Sequence, residues 1–162
     1  MPSPLTDAQV WEALNSIADP EIPVVSLVEL GMIGTVGVSG GEVRVGLRPT
    51  FAGCPALEVM QREIRDRLTR LGARKVSIEL TLQPPWSTDD ILPEARSKLA
   101  AFGLAPAPGP VIHLDEILAA PRPCVHCGST DTEVRNEFGA TPCRTILYCR
   151  ACNQPFEGMK PV

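Results

Sequence analysis

Residues 43–82, VRVGLRPTFAGCPALEVMQREIRDRLTRLGARKVSIELTL, change hydrophobic period twice, and those two changes decide the fold. Val43, Val45 and Leu47 alternate with polar or small residues, the period of two that a half-buried strand requires. Leu57, Met60, Ile64, Leu68 and Leu71 then recur at three- and four-residue spacing, an apolar stripe along a helix predicted to start after Cys54 with Pro55 at its first position. Gly72 stops that helix. Val76, Ile78, Leu80 and Leu82, interleaved with Lys75, Ser77, Glu79 and Thr81, return to period two. Strand, helix and strand therefore follow one another.

Upstream, Thr6 and Gln9 match a capping box for a first helix with Val10, Leu14 and Ile17 on one face, ending before Asp19-Pro20. The apolar, β-branched run Val24–Ile33 is separated by Gly40-Gly41 from the Val43 strand and reads as the other arm of a β-hairpin. Downstream, Pro84-Pro85 ends the last strand. Thr88 is the expected cap of a third helix carrying Leu92, Leu99 and Phe102, with Pro93 in its first turn and Gly103 just past its end. The order α-β-β-α-β-α predicts an α/β fold over residues 1–104: a small two-layer sandwich with helices on one face of a mixed sheet. Five prolines within residues 105–123 predict an extended linker, in which Val111–Leu118 suits a short strand or helix.

Residues 124–162 carry a different signal. Cys124-Val125-His126-Cys127 and Cys149-Arg150-Ala151-Cys152 are two C-x2-C knuckles with 21 residues between them, enough to bring the chain back and close a tetrahedron. Four thiolates suit a structural Zn²⁺, which replaces the hydrophobic core that so short a module lacks, so a four-cysteine zinc ribbon is expected. Iron of rubredoxin type, or an Fe–S cluster, uses the same sulfur set, and dithiol redox chemistry is the minor reading. His126 is not counted among the ligands. Cys143 reads either as a small buried residue beside Tyr148 and Phe156 or as a reactive, exchangeable ligand.

The 162 residues are 44% apolar and 21% charged, a globular composition with net charge −4. Residues 106–162 hold five basic against six acidic side chains, which disfavours phosphate and hence nucleic acid. The longest uncharged stretch, Leu99–Leu114, is interrupted by three prolines, so no membrane span is expected. Met1-Pro2-Ser3-Pro4 offers no secretory signal, and a cytoplasmic location follows as an expectation. Cys54 stands alone before Pro55. The N–H groups at a helix start favour a thiolate there, as nucleophile or metal ligand; the other reading is an inert buried thiol. Asp19-Pro20-Glu21-Ile22-Pro23 sets two carboxylates in a stiff turn, as hard oxygen ligands or as a solvated corner. His113 and His126 are the only histidines and no nucleotide or metalloprotease motif occurs, so a thiol enzyme built on Cys54 lacks a general base.

Asp19-Pro20-Glu21-Ile22-Pro23-Val24, Leu30-Gly31 and Thr50-Phe51-Ala52-Gly53-Cys54-Pro55, with its T-x-x-x-C-P element, resemble the metal–sulfur cluster assembly accessory domain. With Pro84-Pro85-Trp86-Ser87-Thr88-Asp89 and the ribbon ending Cys149-Arg150-Ala151-Cys152-Asn153-Gln154-Pro155-Phe156, residues 5 to 160 resemble the PaaD family of the phenylacetyl-CoA epoxidase system. That resemblance implies a non-catalytic accessory subunit of a bacterial multicomponent monooxygenase in aerobic phenylacetate breakdown, assisting assembly of an iron or Fe–S centre in the oxygenase or reductase. The alternative it leaves is a stoichiometric structural subunit with no role in metal delivery. Carried onto this chain, it makes Cys54, Asp19, Glu21, Thr50 and Cys143 the candidate functional or metal-transfer residues, with transient iron or Fe–S as cargo. Structural Zn²⁺ falls to Cys124, Cys127, Cys149 and Cys152. Oxygenase and reductase subunits are the implied partners; homo-oligomerisation is left open. Asp90 and Gly158-Met159 stand where the family has aromatic residues.

Overall fold

A computed structural model describes residues 5–107 and 122–160. Most of the expected linker, with Val111–Leu118, lies outside the described residues. The chain divides into two compact units, residues 1–86 and 87–162.

In the first unit, α1 (Asp7–Asn15) opens on the expected capping box: the Gln9 N–H donates to Thr6 Oγ1 at 3.3 Å and the Thr6 N–H to Gln9 Oε1 at 3.0 Å. β1 (Ile33–Ser39) turns through Gly40 and Gly41, both at positive φ, into antiparallel β2 (Glu42–Leu47), the two-residue hairpin that glycine permits. α2 (Leu57–Leu71) then returns the chain to β3 (Lys75–Leu80), parallel to β2. The order β1-β2-β3 is the mixed sheet that the hydrophobic periods implied. Val43, Val45 and Leu47 share a buried interior with Val10, Leu14, Met60, Ile64 and Leu68.

Three local expectations are corrected. The strand expected from Val24 starts only at Ile33; residues 24–32 run mostly through turns, with one isolated antiparallel bridge from Ser26 to Ala18, although Val25, Leu27, Leu30 and Met32 are buried. Ser26 is the physical reason. Its N–H donates to Glu29 Oε2 at 2.8 Å, the Glu29 N–H returns to Ser26 Oγ at 3.0 Å, and the Ser26 hydroxyl donates to Asn15 Oδ1 at 2.7 Å. This capping-box exchange closes a turn where no helix follows. Second, α2 begins at Leu57 and not at Pro55, because Cys54-Pro55-Ala56 is spent in turns, with the Leu57 N–H donating to Cys54 O at 3.2 Å. Third, Ser87 and not Thr88 is the cap, and it closes a single 3₁₀ turn, Thr88–Asp90.

The second unit begins there. α3 (Pro93–Phe102) has Pro93 in its first turn and left-handed Gly103 after its end, but buries Ala95 and Leu99 while Leu92 and Phe102 stay exposed. β4 (Leu104–Ala105), β5 (Thr132–Asn136), β6 (Arg144–Cys149) and β7 (Gln154–Met159) form a sheet in the order β4-β7-β6-β5. Leu104 and Ala105 pair parallel with Glu157 and Gly158, drawing α3 into the ribbon's unit. The division therefore falls at 86/87, before the boundary expected at 104/105. Ala105, Cys124, Leu147, Cys149 and Phe156 make its core. Buried Arg144 pairs with Glu157 at 2.8 Å, and buried Arg122 donates from Nη1 to Met159 O at 2.9 Å.

Candidate metal centre and the Cys54 loop

The two knuckles meet because β6 ends at Cys149 and the second knuckle turns the chain into β7, while Cys124 is buried in the same core as Cys149. The four Sγ atoms lie within 4.8 Å of one another. Cys124 Sγ is 3.7 Å from Cys152 Sγ, and Cys127 Sγ is 3.6 Å from Cys149 Sγ. A tetrahedral ion with metal–sulfur bonds of about 2.3 Å has sulfur–sulfur edges of about 3.8 Å, so donors and spacing both fit.

Each knuckle is finished by a residue at positive φ directly after its second cysteine, Gly128 at 75° and Asn153 at 58°. That reversal turns the Ser129 and Gln154 N–H groups back on the Cys127 and Cys152 sulfurs, and ahead of the first reversal the His126 N–H sits 3.4 Å from Cys124 Sγ. Glycine and asparagine are the two residues that adopt this conformation most readily, so their matching places behind the two knuckles are a signal the sequence itself carries. The His126 ring is no ligand: Nε2 lies 3.2 Å from Pro155 O and the ring meets Phe156 edge-on.

Four thiolates at this spacing repel. The Cys152 N–H, the largest influence, draws the Cys149 thiol down to about 7, while burial and then the neighbouring sulfurs push Cys152 up to about 12. A divalent ion reverses that logic, because a coordinating thiol is deprotonated outright. Outside the cluster, Arg150 pairs with Asp131 at 3.5 Å and with Glu133, and Arg135 pairs with Glu133 at 2.7 Å while lying over the Tyr148 ring. β5 is thereby clamped to the second knuckle.

Cys143 lies elsewhere. It precedes β6, whose extended run places Cys149 about 20 Å away. Its Sγ is 3.1 Å from Thr141 Oγ1, and its carbonyl accepts from the Lys160 N–H at 2.9 Å.

Cys54 is half-buried, in no disulfide, on the loop joining β2 to α2. Its N–H donates to Phe51 O at 3.1 Å, which closes a tight turn; Thr50 is half-buried beside it in sequence, and Phe51 is exposed. In the acidic turn, Asp19 is buried and its Oδ1 accepts both the Glu21 and Ile22 N–H groups at 2.8 Å. Its carboxylate thus holds the turn in shape; Glu21 is half-buried. Among the described residues, the four knuckle cysteines are the only cluster of three or more Cys, His, Asp or Glu placed to share an ion, so the structure does not gather Cys54, Asp19 and Glu21 into one. Trp86 has a role that no motif announces. Its buried indole N–H donates to Leu30 O at 2.7 Å and ties the chain after Pro84-Pro85 to the 24–32 turns.

A thiol on an α/β loop followed by a four-sulfur β ribbon defines a class: residues 7–80 match the family of iron–sulfur cluster assembly proteins, and residues 114–160 match the PaaD zinc beta ribbon domain. A protein of Escherichia coli K12, provisionally named as the D component of 1,2-phenylacetyl-CoA epoxidase, is 37% identical over 94% of this chain and 91% of its own. The chain belongs to the PaaD family. A Porphyromonas gingivalis Fe–S protein maturation auxiliary factor is 33% identical over 58% of this chain and 90% of its own. Among solved structures, a conserved hypothetical protein of Thermotoga maritima superposes with a TM-score of 0.54 at 27% identity, covering 61% of this chain and 98% of that one. A domain of unknown function from Bacillus anthracis, with a TM-score of 0.54, 21% identity and coverage of 57% and 90%, shares the fold. No helix among the described residues is long and apolar enough to cross a membrane.

Proposed function

We propose that this chain is a non-catalytic assembly component of a phenylacetyl-CoA epoxidase system, in which Cys54 handles iron or an Fe–S cluster destined for the oxygenase or reductase. The observation that carries this reading is a half-buried thiol on the loop after β2, in a domain matched to iron–sulfur cluster assembly proteins. Loops on a rigid sheet are where such sites reside. A single soft donor suits brief custody of a cargo ion: it supplies one bond and leaves the remaining positions to ligands of the client. Zn²⁺ held by Cys124, Cys127, Cys149 and Cys152 would tie the ribbon together without an open coordination position, and the ribbon would serve for docking.

A stoichiometric structural subunit is the second reading. It is favoured by Asp19, whose Oδ1 is engaged by two backbone N–H groups. The deciding experiment matures the oxygenase beside wild-type or Cys54→Ser protein and measures its iron content and epoxidation. Serine keeps the polar atom but removes the soft donor. Assembly predicts iron-poor, inactive oxygenase with Cys54→Ser; loaded, active oxygenase rejects metal handling and leaves the structural subunit.

A further inference from the structure

The outer edge of β3 pairs with no strand among the described residues. The Thr81 N–H donates to Leu47 O at 2.9 Å, so Ser77, Glu79 and Thr81 aim their backbone groups at β2, and the alternate residues Val76, Ile78 and Leu80 aim theirs outward. Those outward residues are also the apolar ones. Val76 and Ile78 are only half-buried and Leu80 is 47% exposed, although their register partners Val43, Val45 and Leu47 are buried. On the other face, Lys75 lies 3.3 Å from Glu42. Glu79 stands opposite Gly46, which has no side chain to offer, and has no ion-pair partner among the described residues.

We propose that β3 pairs antiparallel with β3 of a second copy about a two-fold axis at Ser77, joining two sheets into one of six strands. The occupant follows from charge and backbone parity together. With the axis at Ser77, Val76 faces the partner's Ile78, and both present outward N–H and C=O groups, as a hydrogen-bonded pair demands. Lys75 then faces the partner's Glu79, and Glu79 the partner's Lys75, in the non-hydrogen-bonded pairs where side chains come closest. Moving the axis to Lys75 or to Glu79 sets like charges opposite each other, and moving it to Val76 or Ile78 sets neither charge opposite a charge of the partner strand. The strand is self-complementary in one register. Such pairing also covers an edge that would otherwise recruit strands indiscriminately.

Sedimentation equilibrium of the full, metal-loaded chain over a dilution series tests this. Wild type is expected to show a reversible dimer of twice 17.4 kDa. Glu79→Lys alone and Lys75→Glu alone each place like charges across the two-fold, and each is expected to weaken the dimer by at least about tenfold. Mixing the two variants in equal amounts should restore it, because every cross-strand pair then joins opposite charges; circular dichroism confirms that both variants are folded. Wild type that stays monomeric throughout overturns the proposal and leaves the edge to a strand of another protein. Single variants as dimeric as wild type, or a mixture that fails to recover, also overturn it.

Discussion

Asp19 and Cys54 are separable one substitution at a time. Asp19→Ala removes the acceptor for two backbone N–H groups in a buried turn and is expected to destabilise the first unit by about 1–3 kcal/mol in urea unfolding. Asp19→Asn keeps an amide oxygen in the same place and should retain most of that stability. A maturation defect in Asp19→Asn despite intact stability would therefore identify the carboxylate charge as part of the cargo site. Cys54 is expected to be alkylated ahead of the knuckle thiols in folded, metal-loaded protein, since it is half-buried on a loop and stands outside the four-sulfur cluster. Mass spectrometry of the labelled protein checks the order, and labelling of Cys54 only after denaturation would mark it as a packing residue.

At the scale of elements, the sequence made the periodic pieces legible and hid the aperiodic ones. α1, α2, β2 and β3 followed from stripes and alternation, because burial on one face imposes a period. Residues 24–32 did not: a buried loop and a buried strand are equally apolar, and what separates them is the Ser26–Glu29 exchange, which resembles the start of a helix that never comes. The four knuckle cysteines were legible from spacing alone, whereas the exclusion of Cys143 needed the direction of β6. The left-handed residues behind the knuckles give a further expectation. A Cβ added at Gly128 meets nothing within 4 Å, so Gly128→Ala is unfavourable through backbone conformation alone, by about 1–2 kcal/mol. Competition with a chromophoric chelator should then show roughly tenfold weaker metal retention; unchanged retention would show that the knuckle tolerates another geometry.

For the whole molecule, two compact units imply two separable transitions. Removing metal with a chelator, or replacing Cys124 and Cys149 together by Ser, should abolish order around the four sulfurs and leave the first unit's hydrogen-exchange protection in place. Loss of protection throughout the chain would mean that the units fold as one. The boundary at 86/87 was not legible from the prolines, because composition marks where regular structure is discouraged and says nothing of a two-residue strand such as Leu104–Ala105 that pairs with β7.

That short strand bears on how such a ribbon could be moved from one protein to another. A fragment cut at residue 114, where the ribbon's family resemblance begins, would keep all four sulfurs but leave behind Leu104 and Ala105. The β7 flank beside Glu157 and Gly158 would be stripped of its neighbour, and a bared flank of that kind seeds aggregation. Light scattering of fragments starting at 87 and at 114 should find the longer one monodisperse and the shorter one not. Transplantable as its metal knot looks, the ribbon would travel intact only with the helix and strand that precede it.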